Sequence, residues 1–277
     1  MTDPVLIAAV QMTSRDDVDA NLATAEKLVR RAVARGATFV GLPENITFMG
    51  HEESKLASAE RFSMGPVTDG AGKVSKWASS LARELRTWIL LGGVPETTAD
   101  ASRVHNAALV VNPSGEIVAH YRKVHLFDVS LADGSEYRES KAVEAGTDLA
   151  VIDTPAGRLG LSICYDVRFP ELYRKLVDQG ATLLAVPAAF TVPTGRDHWH
   201  VLLRARAIES QCYLMAPAQW GAHGHGRTTY GHALICDPWG TVIAECADGE
   251  GLAMAEIDPS RVATVRQQLP SLRHRRL

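Results

Sequence analysis

The sequence carries the segment Gly36-Ala-Thr-Phe-Val-Gly-Leu-Pro43 and repeats it 144 residues later as Gly180-Ala-Thr-Leu-Leu-Ala-Val-Pro187. Each copy is a short, mainly apolar run that ends in proline, which is typical of a buried strand. Each copy also directly follows a stretch with apolar residues near a 3.6-residue period. In the first half this pattern predicts a strand over 5–11, a helix over 18–35 and a strand over 37–42. The alternation of helix and strand indicates an α/β fold.

A second pair of segments repeats around a tight turn. Ala108-Leu-Val-Val-Asn-Pro-Ser-Gly115 returns 125 residues later as Ala233-Leu-Ile-Cys-Asp-Pro-Trp-Gly240. Both copies predict a strand, a Pro-x-Gly turn and a second, antiparallel strand. Because the two repeat offsets differ by roughly twenty residues, the first half carries an extra segment near 124–147, where polar residues replace periodic apolar ones. Long loops of this kind usually carry function.

Two copies of a helix, strand and hairpin unit favour one architecture. Neither copy can bury both faces of its sheet alone, so stacking sheet on sheet with helices outside is the economical packing. We therefore expect a four-layer α-β-β-α sandwich with an internal pseudo-two-fold repeat. The alternative is a single doubly wound sheet, which the antiparallel hairpins oppose. Residues 1–277 are expected to form one domain, with 266–277 as a C-terminal tail.

Composition and charge exclude several classes of protein. The chain has 277 residues, is 46% hydrophobic and 22% charged, and has a formal net charge of -3, as in ordinary globular proteins. Charges form no block except the short basic cluster at 273–276, so a nucleic-acid binder is not indicated. The apolar run 5–10 is too short for a signal sequence or a membrane span. We therefore expect a cytoplasmic protein with no nucleic-acid or membrane partner.

Neither cysteines nor histidines show the spacing of a metal site. The four cysteines contain no C-x-x-C pair, which argues against a zinc ribbon or a redox pair. The pairs His198 with His200 and His223 with His225 have no carboxylate or cysteine partner at a suitable spacing. H-E-x-x-H and G-x-G-x-x-G signatures are also absent. We expect no bound metal and no organic cofactor.

The strongest local signal is Gly160-Leu-Ser-Ile-Cys-Tyr-Asp-Val-Arg-Phe-Pro-Glu171. An apolar strand runs up to Ile163, and Pro170 suits the first turn of a following helix. Cys164 then lies on a strand-to-helix turn, which lifts its side chain from the sheet and aims backbone N–H groups at one point. A helix start also favours thiolate over thiol. These features predict a nucleophile at position 164 and buried structural cysteines at Cys212, Cys236 and Cys246.

Two charged residues stand where predicted strands end. Glu44 follows the first repeated segment, at the carboxyl end of a strand, where α/β active sites gather. Lys123 lies where the hairpin strand enters the extra segment, and its cation suits the negative charge of a tetrahedral intermediate. The alternatives are a helix cap or surface charge for the glutamate, an outward-pointing lysine, and one of the ten histidines as the base.

These stretches resemble the Glu-Lys-Cys triad of the nitrilase superfamily of carbon-nitrogen hydrolases, and the resemblance covers essentially the whole chain. The segments that look like its Nit branch are Leu42-Pro-Glu-Asn45, Arg122-Lys-Val-His-Leu-Phe127, Ile163-Cys-Tyr-Asp-Val-Arg-Phe-Pro-Glu171, His198-Trp199, Leu203-Arg-Ala-Arg-Ala-Ile-Glu209, Tyr230-Gly-His-Ala233 and Asp237-Pro-Trp-Gly-Thr241. The resemblance implies the nitrilase-type sandwich and amide hydrolysis without a cofactor.

The resemblance implies a role for each residue of the site. Cys164 would form a thioester, and Glu44 would take the thiol proton and return it to the departing amine. Lys123 and the backbone N–H of Tyr165 would hold the oxyanion. A second glutamate in the loop after the lysine would orient that lysine and the attacked carbonyl. The stretch Tyr137-Arg-Glu-Ser140 assigns this glutamate to Glu139, with two alternatives close by, Glu136 and Glu144.

The resemblance also narrows the substrate to a small-molecule amide. The stretches 203–219 and 231–241 look closest to the deaminated-glutathione amidases, which free 2-oxoglutarate from cysteinylglycine in a repair reaction. The neighbouring alternative is an omega-amidase acting on 2-oxoglutaramate or 2-oxosuccinamate, followed by another amidase, nitrilase or carbamoylase of the superfamily. A catalytically idle scaffold that binds a partner is the alternative from a different class.

Four further residues are expected to bind the substrate. An acyl group that ends in a carboxylate needs a cation, and Arg168 lies one turn beyond the nucleophile. A salt bridge from Arg168 to Glu171 is the alternative. The loop after Pro187 leaves a strand's carboxyl end, so it is expected to line the pocket through Phe190, Thr191 and Thr194. The resemblance further implies a homodimer or higher homo-oligomer in which the tail 266–277 reaches the partner.

Overall fold

A computed structural model of the chain describes residues 4–130, 134 and 136–276. The strands of these residues are, in chain order, β1 (Val5–Met12), β2 (Phe39–Gly41), β3 (Gly65–Pro66), β4 (Trp88–Thr97), β5 (Val104–Val111), β6 (Glu116–Arg122), β7 (Asp128–Ser130), β8 (Glu136–Arg138), β9 (Val151–Thr154), β10 (Gly157–Leu161), β11 (Leu183–Ala185), β12 (Tyr213–Ala216), β13 (Ala218–Gly224), β14 (Arg227–Tyr230), β15 (Leu234–Cys236), β16 (Val242–Glu245) and β17 (Gly251–Ile257).

The helices begin where the sequence carries start signals. Asp17 caps the first helix by accepting a hydrogen bond from the N–H of Ala20 at 3.0 Å, and Pro170 occupies the first turn of the third. The α-helices are α1 (Val18–Val33), α2 (Lys73–Leu85), α3 (Pro170–Asp178), α4 (Val192–Ser210) and α5 (Pro259–Gln268). Short 3-10 helices occupy Glu52–Ser58, Glu139–Lys141, Cys164–Arg168 and Ser271–His274.

The strands form two sheets with the same central order. In one, β1, β2 and β4 are parallel and continue into antiparallel β5 and β6. In the other, β10, β11 and β12 are parallel and continue into antiparallel β15 and β16. Even a register shift is repeated, between Val110 and Val111 and between Ile235 and Cys236. The predicted internal repeat and its antiparallel hairpins are therefore present.

The two faces of the first sheet pack against different layers. Successive strand residues point to opposite faces, so Ile7 and Phe39 join the core shared with the second sheet. Ala8 and Val40 instead pack in a separate core with α1 and α2. Apolar residues of α3 and α4 cover the second sheet from outside. The molecule is the expected four-layer α-β-β-α sandwich.

The extra segment 124–147 holds more regular structure than a polar loop. Its strands β7 and β8 form a small antiparallel ribbon, followed by the 3-10 helix Glu139–Lys141. Residues 131–133 and 135 of this segment lie outside the described residues. The ribbon places the 3-10 helix against the end of β6.

The C-terminal residues pack on the same chain. Arg266 donates to the carbonyl oxygen of Ala181 at 2.8 Å, and Arg275 forms an ion pair with Asp178 of α3. The N-terminal and C-terminal end residues, 1–3 and 277, are not among those described. None of the described helices is both long and apolar enough to cross a bilayer.

Candidate active site

The chain turns from the second sheet toward α3 at Cys164. Strand β10 ends at Leu161, and the 3-10 helix begins with the cysteine itself. Cys164 has a φ of 48°, a left-handed conformation that is uncommon for residues other than glycine and often marks functional sites. Its N–H donates to the carbonyl oxygen of Pro187 at 2.9 Å. The turn expected from the sequence is therefore present and is fixed to the end of the neighbouring strand.

Asp166 ties this turn to the strand that ends next to Lys123. Its fully buried carboxylate accepts hydrogen bonds from the N–H of Ile163 at 2.8 Å and from the hydroxyl of Tyr121 at 2.7 Å. It also accepts from the N–H of His125 at 3.0 Å. No role for Asp166 follows from the sequence, because Tyr121 and His125 lie 45 and 41 residues away in the chain.

Lys123 lies between two carboxylates, at the point where strand ends and the extra segment meet. Its Nζ is 2.9 Å from Oε1 of Glu44 and 2.9 Å from Oε2 of Glu139. The lysine side chain is only 2% exposed, so it does not point outward. Glu44 follows β2, Lys123 follows β6, and Glu139 begins the 3-10 helix of the extra segment.

The two other glutamates of the extra segment make different contacts. Glu136 pairs with Arg138, and Glu144 lies 3.0 Å from Arg103 at the surface. Glu139 alone of these three contacts the lysine, and it also accepts from the N–H of Phe127 at 2.7 Å. The extra segment thus brings one of its three glutamates into contact with the lysine, while Glu136 lines the cavity without touching Lys123.

Three further donors hold Glu44 in place. The side chain of Asn106 donates to its Oε1 at 2.9 Å, and the N–H of Ala189 donates to its Oε2 at 3.0 Å. Gln219 donates to its backbone carbonyl at 2.9 Å. None of these three residues is predicted as part of the site from the sequence. Asn106 lies inside β5, where an isolated polar residue gives no signal of its partner, and the contact with Ala189 is made by backbone.

Burial and charge set the protonation of the cluster. Burial by itself would raise the pKa of Glu44, but the charge of Lys123 and its hydrogen bond outweigh burial and hold that pKa below the ordinary value. Burial would lower the pKa of Lys123, but Glu139 and Glu44 hold it well above its usual range. The resting cluster therefore carries an ammonium and an ionised base.

The expected thiolate at position 164 is wrong for the resting site. Burial raises the pKa of the Cys164 thiol well above its usual range, the charge of Glu44 raises it further, and Lys123 offsets only part of this. The start of a five-residue 3-10 helix is too weak to reverse burial beside a carboxylate. The sulfur thus needs a base when it reacts, and an ionised carboxylate lies beside it.

A cavity opens on these groups, and a concave site with a few convergent polar side chains is typical of small-molecule binding. Cys164, Glu44, Lys123 and Glu139 line its inner end together with Tyr165. Tyr165 belongs to the first turn of the 3-10 helix, whose N–H groups have no partner within the helix. The cavity therefore combines a sulfur, a base, a cation and a candidate backbone donor.

The remaining predicted binding residues also line this cavity. The guanidinium of Arg168 lies 5.2 Å from the ring centre of Phe190. Arg168 and Glu171 are both among the described residues, and they form no ion pair. The expectation that Thr194 lies in a loop is wrong. Thr191 precedes α4 and Pro193 lies in its first turn, so the helix begins early and Thr194 lies on it. The two threonine hydroxyls are 2.8 Å apart.

The paired histidines have other environments. Both ring nitrogens of His223 are hydrogen-bonded, to Ser14 at 2.7 Å and Thr229 at 2.6 Å, and burial lowers its pKa to about 4. His200 and His232 lie 2.8 and 2.9 Å from the same oxygen of Glu245. This carboxylate is 45 residues from His200, so sequence spacing could not reveal it. The trio does not line the cavity.

The other cysteines are buried in the core and carry protonated thiols. Burial raises the pKa of Cys212 and of Cys236 to about 12, and that of Cys246 to about 11. None of them lines the cavity. This agrees with the structural role expected from the sequence.

The chain matches one known protein family over nearly its whole length. Residues 6–267 match the family model described as carbon-nitrogen hydrolase. Over 275 residues the sequence is 50% identical to deaminated glutathione amidase from Synechocystis sp., and the match covers 98% of each chain.

Two solved structures have a closely similar fold. The NitFhit protein of C. elegans has a TM-score of 0.89 and 41% sequence identity, and the match covers 99% of this chain and 66% of that one. Saccharomyces cerevisiae Nit3, described as a member of branch 10 of the nitrilase superfamily, has a TM-score of 0.85 and 30% identity. That match covers 96% of this chain and 94% of Nit3.

Proposed function

This chain belongs to the carbon-nitrogen hydrolase family and is an amide-hydrolysing enzyme, and we propose that its substrate is deaminated glutathione, cleaved to 2-oxoglutarate and cysteinylglycine. The observation that carries the chemistry is the 2.9 Å contact between Lys123 and Glu44 in the cavity that Cys164 lines. The substrate is supported by the 50% identity with the Synechocystis amidase. No bound metal or organic cofactor is part of the proposal.

In the first half of the reaction, Cys164 attacks the amide carbonyl carbon while Glu44 takes the thiol proton. The carbonyl oxygen becomes an oxyanion, held by the ammonium of Lys123 and the N–H of Tyr165. Glu44 then gives its proton to the amide nitrogen, the C–N bond breaks, and cysteinylglycine leaves. The 2-oxoglutaryl group remains on the sulfur as a thioester.

In the second half, Glu44 takes a proton from water as the water oxygen attacks the thioester carbon. The same two donors hold the second oxyanion. The C–S bond breaks, the sulfur regains the proton, and 2-oxoglutarate leaves. We propose that Glu139, which is bound to Lys123 at 2.9 Å and lines the cavity, orients both this lysine and the attacked carbonyl.

The acyl group of this substrate ends in a carboxylate, for which Arg168 is our proposed partner. Its guanidinium faces the cavity beside Phe190 and Tyr165, while Thr191 and Thr194 add hydroxyls to the same wall. A guanidinium and hydroxyls together suit a 2-oxo acid, which presents several acceptor oxygens in one plane.

We also propose a cytoplasmic homo-oligomer that forms through α4. On this helix Val201 is 67% exposed and Ile208 is 47% exposed. The two residues are two turns apart and therefore lie on the same face. Trp239, which lies beside them, is 52% exposed. Exposed apolar side chains grouped in this way favour a protein interface. The tail 266–277, of which residue 277 is not described, remains a candidate for a partner contact.

A substrate panel with mass detection tests the proposed function. Deaminated glutathione, 2-oxoglutaramate and a carbamoyl amide are each given to the wild-type enzyme and to the Glu44→Gln variant. We expect cysteinylglycine release from the first substrate at the highest kcat/KM, and a 10²- to 10⁴-fold loss in the variant, with no acyl-enzyme, because the general base is gone.

Other results of this panel decide between the alternatives. Ammonia release from 2-oxoglutaramate at a higher kcat/KM than deaminated glutathione would make the chain an omega-amidase. Turnover of the carbamoyl compound alone would make it a carbamoylase. Absence of turnover on the whole panel would contradict the proposed substrate class.

A further inference from the structure

We propose that Lys55 and Arg227 form a subsite for the carboxylate of the leaving group, the glycine end of cysteinylglycine. This inference rests on the proposed function, because it concerns the part of deaminated glutathione that departs in the first step. It assigns a specificity role to two cations that the proposed chemistry does not use.

The two cations share a single carboxylate on one wall of the cavity. Nζ of Lys55 lies 2.6 Å from Oε2 of Glu52, and Nη1 of Arg227 lies 3.0 Å from Oε1 of the same residue. Burial would raise the pKa of Glu52, but the two cations outweigh it and lower that pKa to about 2. Glu136 on the same wall is paired with Arg138, so the three cations exceed the two carboxylates by one positive charge and the wall attracts an anion.

This wall stands where the cavity continues outward. Glu52, Glu136, Tyr137 and Arg227 line both the catalytic cavity and an adjoining open groove. Beyond them the groove is bounded by 49–51 and by the turn of the β13–β14 hairpin. A substrate with a long leaving group has room to extend in this direction, whereas the inner end of the cavity is closed by the buried catalytic cluster.

The wall also lies near the base that serves the departing nitrogen. The departing nitrogen must lie within reach of Glu44, which returns the proton to it. The charge of Lys55 acts on Glu44, and the chain runs from that glutamate directly into the 3-10 helix that holds Lys55. In an extended dipeptide the carboxylate lies about 7 Å from the amide nitrogen, so the carboxylate of the leaving group needs a partner beyond the base itself.

Two separate cations then match the two ends of the substrate. Arg168 follows the nucleophile on the turn toward α3 and packs against Phe190, while Arg227 belongs to β14 and borders the outer groove. An amide that releases only ammonia has no group for the outer subsite. Lys55 and Arg227 would therefore distinguish a dipeptide leaving group from ammonia.

The test compares three substrates: deaminated glutathione, the same compound with its glycine carboxylate converted to a carboxamide, and 2-oxoglutaramate. In the wild-type enzyme we expect kcat/KM to be about 10- to 100-fold higher for the acid than for the carboxamide, as expected for a charge-assisted contact. In Arg227→Gln and in Lys55→Met this ratio should fall toward one, mainly through KM for the acid.

Matched variants separate binding from a structural role. Arg227→Lys keeps a cation next to Glu52 and should retain part of the ratio. Arg261→Gln removes another arginine that pairs with a carboxylate, that of Asp237 at 2.7 Å, but it lies outside the cavity and should keep the wild-type ratio. Measuring the ratio within one variant makes the result independent of the amount of folded protein.

The outcomes distinguish this proposal from the proposed function. If the wild-type enzyme prefers the acid and Arg227→Gln loses the preference, the subsite is supported. If the wild-type enzyme cleaves the acid but Arg227→Gln loses the same factor on all three substrates, the function stands and the subsite is wrong. If the wild-type enzyme does not cleave deaminated glutathione, the function and the subsite both fall.

Discussion

The two halves of the molecule have the same strand order and even the same register shift, but they differ where their strands end. Strand β1 continues to Met12 and pairs there with β13, whereas the equivalent strand β10 stops at Leu161 and the chain turns at Cys164. After the first repeated segment comes Glu44, and after the second comes Ala188. The fold is repeated, and the reactive residues are not.

Each half contributes what the other lacks. The first half supplies Glu44 and Lys123, and the second supplies Cys164 and the N–H of Ala189, which donates to Glu44 at 3.0 Å. The site therefore exists only where the two sheets are stacked. This difference teaches that the repeat builds a rigid frame, while the positions that diverge between its copies carry the chemistry.

The largest expected effect comes from removing the reactive thiol, which the first half has no counterpart for. Cys164→Ala should lose at least about 10⁴-fold in kcat, because no thioester can form. Met12→Leu changes the residue at the equivalent register position, which is buried and outside the cavity, and should keep wild-type kcat. Steady-state rates with circular dichroism of both variants check this, and an active Cys164→Ala would refute covalent catalysis by this residue.

The next effect concerns the cation that joins the halves. Lys123→Met should lose about 10²- to 10³-fold in kcat, as expected for loss of one oxyanion donor. It also leaves Glu44 and Glu139 buried beside each other without a counter-charge, so we expect the protein to be destabilised by about 3–5 kcal/mol. Kinetics per folded molecule and chemical denaturation measure the two effects. A variant with normal kcat would show that the oxyanion is held elsewhere.

A smaller effect comes from the contact between the two repeated strand ends. A Cβ added at Gly92 would lie 2.1 Å from the carbonyl oxygen of Leu42 and 2.3 Å from Cβ of Pro187. Gly92→Ala should therefore push the ends apart and lower the free energy of unfolding by about 1–3 kcal/mol. Gly70→Ala is the control, since its nearest neighbour would be 4.0 Å away. Equal stability of the two variants would contradict close packing at this contact.

The smallest effect is a change in the pH profile. Catalysis needs ionised Glu44, whose pKa is held below the ordinary value by Lys123 despite burial, so activity should persist as pH falls until that lowered pKa is reached. Asn106→Leu removes a 2.9 Å hydrogen bond to the ionised carboxylate. This raises the pKa of Glu44 and should move the acid limb of kcat/KM to higher pH by about one unit. An unmoved limb would show that another group controls it.

The sequence predicted the parts of the structure that leave a periodic or repeated signal. Two copies of Gly-Ala-Thr followed by apolar residues and proline gave the two sheets, and Pro-x-Gly gave the hairpins. The turn at Cys164 followed from an apolar strand and a proline six residues later. The thiolate expectation failed because local sequence shows a helix start but not the depth of burial or the carboxylate beside the sulfur.

The rest of the site depends on contacts between residues far apart in the chain. Asn106 and Asp166 meet their partners 62 and 45 residues away, so no spacing rule could have found them. Glu139 was one of three nearby glutamates, and only the ribbon before it determines which one faces the lysine. Lys55 pairs with Glu52 three residues away, but Arg227 is 175 residues from Glu52, so only the fold brings the two cations together.

The most direct test of the central claim is the mass of the protein during turnover. Wild-type enzyme mixed with deaminated glutathione and quenched in acid should gain one 2-oxoglutaryl group, located by peptide mapping on Cys164, and the adduct should disappear when substrate is exhausted. Cysteinylglycine release with no adduct under any quench time, or an adduct on another residue, would contradict the account.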